Sequence, residues 1–157
     1  ETIVMKRMKK IMALMLAAIM MMAMSVTAFA AEGATGTHTL TVNVKTTEPA
    51  QNLKGQTINL YKLFDVTESG KGQNKNYAYT VNETYKKTLA TVLNIAETSK
   101  DEDFAAAVAK LGNDNSPEVQ NFANDFTATA LKNKLSATKT SNKITESKTS
   151  YDFNELK

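Results

Sequence analysis

Apolar residues occupy every second position in the first patterned stretch of the chain. Leu40, Val42 and Val44 alternate with Thr and Asn over residues 37–45. A period of two with β-branched residues is typical of a strand that is buried on one face. The first predicted element is therefore a half-buried strand.

Two further strands are predicted downstream. Residues 56–66 predict a second strand, whose apolar positions change from one face to the other after Leu60. Such a change requires a bulge or twist, which we expect near Tyr61. Residues 77–81 predict a third strand, and the polar Gly- and Asn-containing turn before it predicts a hairpin with the second.

The period changes to 3.6 after residue 82, which predicts three helices. Their starts are marked by Asn82, by a capping box at residues 99–102, and by Ser116 followed by Pro117, while Gly112 ends the second helix. The predicted apolar faces comprise Tyr85, Leu89, Val92, Leu93 and Ala96, then Phe104, Ala105, Val108 and Leu111, then Val119, Phe122, Ala123, Phe126 and Ala130.

The end of the chain returns to a strand-like pattern. Ile144, Tyr151 and Phe153 predict short polar strands beyond Leu135. Strands, a three-helix block and strands again predict a mainly β fold, a β-sandwich with a helical insertion rather than a βαβ fold. Three well-marked strands are too few for two sheets, so we expect an incomplete domain.

The first thirty residues have the layout of a secretory signal peptide. Basic residues at positions 6–10 precede an apolar run over residues 11–24, and Ala28 and Ala30 then present small side chains before a cleavage point at Ala31. A membrane anchor is the alternative, but the run is shorter than the roughly 20 residues that a spanning helix needs. We therefore predict a signal peptide at residues 1–30, with residues 1–4 an over-extension, and a secreted chain of residues 31–157.

Composition removes several classes of function. The formal net charge is +3, but beyond residue 30 basic and acidic side chains are equal in number, so nothing favours nucleic acid. The sequence contains no Cys, which excludes disulfides, thiolate metal sites and thiol catalysis.

Candidate chemistry is sparse. His38 is the single histidine, and no Gly-x-Ser-x-Gly elbow accompanies it. Asp101, Glu102 and Asp103 resemble a carboxylate cluster, but their place in the first turn of a helix is better explained by the helix dipole and capping, which favour acids there. Residues 112–116 offer oxygen ligands at close spacing, but they lack the glycine in the middle of a calcium loop and the glutamate at its end. We predict no enzyme activity, no metal and no cofactor.

Three tyrosines leave two interpretations open. Tyr61, Tyr77 and Tyr79 lie on the predicted second and third strands. They would form an aromatic platform for a sugar or peptide, or they would pack across the hairpin, and their strand context favours packing.

Several segments resemble the N-terminal domain of sortase-assembled pilus subunits of Gram-positive bacteria. The most informative is the strand at residues 55–65, GQTINLYKLFD, which is followed by a Gly- and Asn-containing turn and Tyr77-Ala-Tyr79. The similarity continues through residues 119–126, VQNFANDF, and residues 151–156, YDFNEL, and so extends over residues 37–157.

This resemblance implies a truncated Ig-like, Cna-B-related β-sandwich in a secreted, wall-linked structural protein. Its implied partners are other pilin subunits, the sortase and a host surface ligand, with no nucleic acid and no membrane span. Sortase assembly needs a Tyr-Pro-Lys motif and a Leu-Pro-x-Thr-Gly signal, and neither occurs in this sequence.

Two further expectations follow from the resemblance. Related domains contain a Lys-to-Asn isopeptide bond, and Lys45 at the end of the first strand is the candidate lysine, against the alternative of an ordinary solvated lysine. The alternative function is a non-polymerising surface adhesin that uses the same sandwich to bind a host glycan or matrix protein.

Overall fold

The fold is described from a computed structural model, in which residues 17–18, 26–32, 38–71, 73–74, 76–113 and 116–156 are described. These residues belong to two compact units. The helical unit contains Lys62–Ser136, and the β unit contains Ala17–Tyr61 with Ala137–Lys157. Both units contain buried apolar residues.

The β unit consists of two small antiparallel sheets. The strands are β1 (Ala17–Ala18), β2 (Val26–Glu32), β3 (His38–Val44), β4 (Asn59–Leu60), β7 (Lys139–Thr140) and β8 (Ser150–Leu156). One sheet has the order β1-β4-β7 and the other has the order β2-β3-β8. β3 is the central strand of the second sheet because it pairs with β2 on one side and with β8 on the other.

The alternation that predicts β3 is confirmed. Leu40 and Val42 are fully buried and Val44 is nearly so. On the opposite face, the Thr41 hydroxyl donates to Asp152 of β8 at 2.6 Å. β3 therefore buries one face of its sheet and presents polar side chains on the other, as period two requires.

β8 contains an irregularity that β3 does not share. Leu40 pairs with Phe153 and His38 pairs with Leu156, so two residues of β8 face the single Thr39. Glu155 has a φ of +56°, in the left-handed region. This bulge lies on the β8 side of β3.

The predicted second strand is interrupted in the structure. Leu60 ends β4, and β5 (Phe64–Ser69) begins after three residues that belong to no strand. The break coincides with the change of face expected near Tyr61. One continuous strand would have placed Leu60 and Leu63 on opposite faces, yet both are buried.

The helical unit combines one hairpin with three helices. β5 pairs antiparallel with β6 (Asn76–Val81), which confirms the predicted hairpin. The helices are α1 (Glu83–Leu93), α2 (Asp101–Ala109) and α3 (Pro117–Lys132). Tyr85 of α1 meets Phe126 of α3 edge to face, with ring centroids 5.9 Å apart.

Two of the three predicted helix starts are confirmed. The Asn82 side chain accepts from the Thr84 N–H, and the Ser116 hydroxyl accepts from the Val119 N–H. The predicted start at Ser99 is wrong by one residue, since α2 has Lys100 as its N-cap. The Asp103 carboxylate accepts from the Lys100 backbone N–H at 3.1 Å, so the acid half of the box is present.

The predicted apolar faces are largely buried, with a few exceptions. Val92, Leu93, Leu111 and Ala123 are half-buried, and Ala96 lies beyond the end of α1 and is exposed. Ile144 is buried but belongs to no strand, so the short strand predicted there is wrong. It is fixed instead by backbone hydrogen bonds with Gly55 and Gln56.

The predicted fold class is confirmed only in its general outline, which is a helical block between antiparallel strands. A three-helix block does lie between strands in the chain, and all strand pairs are antiparallel. However, three helices stand beside small two- and three-stranded sheets, so the described residues form a mixed α and β fold rather than a mainly β one.

Candidate functional site

The segment that contains the predicted cleavage point is a strand. β2 pairs with β3 along all seven of its residues, from Val26 opposite Val44 to Glu32 opposite His38. Within this register, Ala28 lies opposite Val42, Ala30 opposite Leu40 and Ala31 opposite Thr39. Residues 1–16 and 19–25 lie outside the described residues, and they include most of the apolar run of the leader.

The backbone polar groups of β3 divide between its two neighbours. The Val44 N–H donates to the Thr149 carbonyl at 2.9 Å, on the β8 side. Adjacent residues of a strand direct their N–H and C=O groups to opposite sides, so Thr41 and Asn43 direct theirs toward β2. We call this side of β3 its outer edge.

The outer edge carries none of the devices that protect sheet edges. Between Thr39 and Val44 there is no charged residue and no proline, and the bulge of this sheet lies on the other side of β3. Charges, prolines and bulges are the features that prevent an edge from pairing with another chain. In this structure β2 is what covers the outer edge.

Lys45 follows β3 directly and is exposed. Its backbone carbonyl accepts from the Gln51 N–H at 2.9 Å, so the main chain turns there. An isopeptide bond forms where a buried lysine, an asparagine and an acid meet in an apolar setting. Lys45 is exposed at the end of β3 in this structure, and its isopeptide bond stays a prediction.

The acidic cluster has a structural explanation. The Asp101 carboxylate lies 3.9 Å from the Lys86 ammonium of α1, and Asp103 accepts from a backbone N–H at the start of α2. The Lys86 ammonium also lies 5.9 Å from the ring centroid of Phe104. These acids therefore stabilise the start of α2 and link it to α1.

The turn before α3 also has a structural role. Gly112 has a φ of +99°, and the Ser116 hydroxyl donates to the Leu111 carbonyl at 2.7 Å. Ser116 thereby joins the end of one helical segment to the start of the next. Asp114 and Asn115 lie outside the described residues.

The three tyrosines do not share one environment. Tyr61 is buried in the β unit, with 1% of its surface exposed, whereas Tyr77 and Tyr79 are half-buried on one face of β6 in the helical unit. The burial of Tyr61 agrees with packing.

His38 is exposed at the first residue of β3.

Ser141 is a structural residue that sequence reasoning missed. It is buried, its hydroxyl accepts from the Ile58 N–H at 2.8 Å, and its own N–H donates to the Ile58 carbonyl. The hydroxyl takes the place of a backbone acceptor just beyond the β4–β7 pair. A serine within a polar Ser- and Thr-rich run gives no sequence signal for this contact.

Comparisons with protein-family models, with curated proteins and with solved structures find no match to this chain. Within the described ranges, no group of three or more His, Asp and Glu side chains is placed to hold a metal ion. No helix among the described residues is long and apolar enough to cross a membrane.

Proposed function

We propose that the chain is the N-terminal part of a structural subunit of a sortase-assembled surface pilus, exported by its leader and without catalytic activity of its own. In this proposal the complete domain is an Ig-like, Cna-B-related sandwich to which the paired strands β3 and β8 contribute. Its partners are other pilin subunits and the sortase, and its location is the cell wall surface.

One observation carries the proposal. In the segment that resembles the pilins, residues 55–65, the apolar side chains are almost entirely buried. They are Ile58, Leu60, Tyr61, Leu63 and Phe64, each at most 3% exposed. A motif whose apolar members are packed inside serves folding rather than chemistry, which agrees with a structural subunit.

Gly55 supports the same interpretation of the motif. It has a φ of +80°, a conformation that side-chain-bearing residues rarely adopt. Its N–H donates to the Ile144 carbonyl at 2.6 Å, which ties the start of the motif to the last segment of the β unit. The glycine that opens the motif therefore has a backbone role.

Immunoblotting of cell-wall extracts tests the proposal. Antibodies raised against residues 31–157 should detect a ladder of high-mass species in producing cells, and the ladder should collapse to the monomer when the pilus sortase gene is deleted. A single wall-linked band that is unaffected by that deletion, together with binding to a host glycan or matrix protein, would favour the adhesin. Retention of the chain inside the cell would contradict both functions.

A further inference from the structure

We propose that the outer edge of β3 is a strand-acceptor site, and that in the processed protein it pairs antiparallel with the same edge of a second copy. The proposal rests on cleavage after Ala30 and does not depend on the pilus function. It concerns the β unit alone.

Cleavage would remove most of the strand that covers this edge. β2 extends from Val26 to Glu32, and the predicted cut between Ala30 and Ala31 leaves only its last two residues on the processed chain. The backbone groups of Thr41 and Asn43 lose their partners in β2, whereas the β8 side of β3 is unchanged. Within the described part of residues 31–157, only Ala31 and Glu32 then remain paired on this side of β3, and the structure shows that this edge is competent for antiparallel pairing.

The sequence of β3 is compatible with pairing to itself. If two β3 strands pair antiparallel about Thr41, then Leu40 of one copy lies opposite Val42 of the other. Both residues are buried on the same face of their sheet, so the apolar face continues across the pair. Lys45 lies opposite position 37, which is a threonine, so no like charges face each other.

The backbone groups also match. In the pairing about Thr41, the residues that direct their N–H and C=O outward face one another, because Thr39 of one copy lies opposite Asn43 of the other. This pairing displaces Ala31, the new N-terminal residue, from its place opposite Thr39. A second copy thus supplies hydrogen-bond partners in the positions that β2 occupies before cleavage. Addition of a strand at a sheet edge is an established mode of association between chains.

Sedimentation of the secreted, processed chain tests the proposal. N-terminal sequencing first establishes that the chain begins at Ala31, and retention of residues 26–30 would overturn the proposal because the edge would stay covered. The processed chain should then sediment with twice the monomer mass from micromolar to submillimolar concentration. A monomer throughout this range would overturn the proposal.

Two variants of Thr41 locate the interface. Thr41→Pro removes the outward N–H but none of the backbone donors on the β8 side, so it should yield a monomer. Thr41→Val is the matched control, since it loses the hydroxyl bond to Asp152 but keeps the N–H, and it should remain a dimer. A folded Thr41→Pro chain that still dimerises would place the interface elsewhere and overturn the proposal.

A peptide competition keeps the test independent of how the proline variant folds. The peptide VTAFAAE, residues 26–32, should bind the outer edge of the processed wild-type chain and convert the dimer to a monomer. A scrambled peptide of the same composition should leave the dimer intact. A dimer that is insensitive to both peptides would contradict pairing through β3.

Discussion

Removing the Ser141 hydroxyl should destabilise the β unit through one buried backbone group. In the wild-type chain the Ile58 N–H has this hydroxyl as its acceptor at 2.8 Å, and Ser141 is only 6% exposed. Ser141→Ala leaves the N–H buried without that acceptor, and an unsatisfied buried donor costs about 1–3 kcal/mol. The hydroxyl also donates to the Asn142 carbonyl, which loses this bond.

The expected loss is measurable by urea unfolding. A loss of about 2 kcal/mol, divided by a slope near 2 kcal/mol/M, lowers the urea midpoint by ~1 M. Far-UV circular dichroism of the processed chain gives the midpoint. Amide hydrogen exchange reports the site itself, because the Ile58 N–H should exchange faster in Ser141→Ala than in the wild type.

Thr140→Val is the matched control. Its hydroxyl donates to Asn59 at 2.8 Å, but this bond lies at the surface, so the variant should stay within about 0.5 kcal/mol of wild type. Equal stability of Ser141→Ala and Thr140→Val, with unchanged protection of the Ile58 amide, would refute the role given to the Ser141 hydroxyl.

Three further predictions concern the core, a turn and the leader. Phe126→Ala should lower stability by about 3–5 kcal/mol in thermal unfolding because Phe126 is 2% exposed, whereas Leu131→Ala, at 42% exposed, should cost far less. Gly55→Ala should cost about 1 kcal/mol through its φ of +80° alone, since an added Cβ meets nothing within 4 Å, and a neutral change would contradict this. Export should release a chain that begins at Ala31, and Edman sequencing that finds residues 20–24 retained would favour the membrane anchor.

The sequence was most informative where hydrophobic period and local chemistry agree. β3, the β5–β6 hairpin and the starts of α1 and α3 are all predictable, because alternation, turn residues and side-chain caps act within a few residues of one another. The predicted box at residues 99–102 is displaced by one residue, since Asp103 rather than Glu102 accepts from the N-cap N–H. The cap at Lys100 itself is not predictable, because lysine offers no acceptor that favours it.

What depends on distant pairing was less predictable. Ile144 belongs to no strand, and backbone hydrogen bonds with Gly55 and Gln56 hold it in its buried position. No local sequence pattern indicates those partners. The sequence of β2 predicts only a cleavage region, because its composition resembles the end of a signal peptide. Its pairing with β3 is seen only in the structure. The outer edge of β3 was missed for the same reason.

The proposed pilus function requires that copies of this protein be joined covalently. Mass spectrometry of protease-digested cell-wall material tests it most directly, by searching for a branched peptide in which the threonine of a sorting signal is amide-linked to a lysine of another copy. Such a branched peptide should be present in producing cells and absent when the sortase is deleted. Wall material that contains this protein only as unbranched peptides, whether or not the sortase is present, would contradict assembly into a sortase-linked pilus.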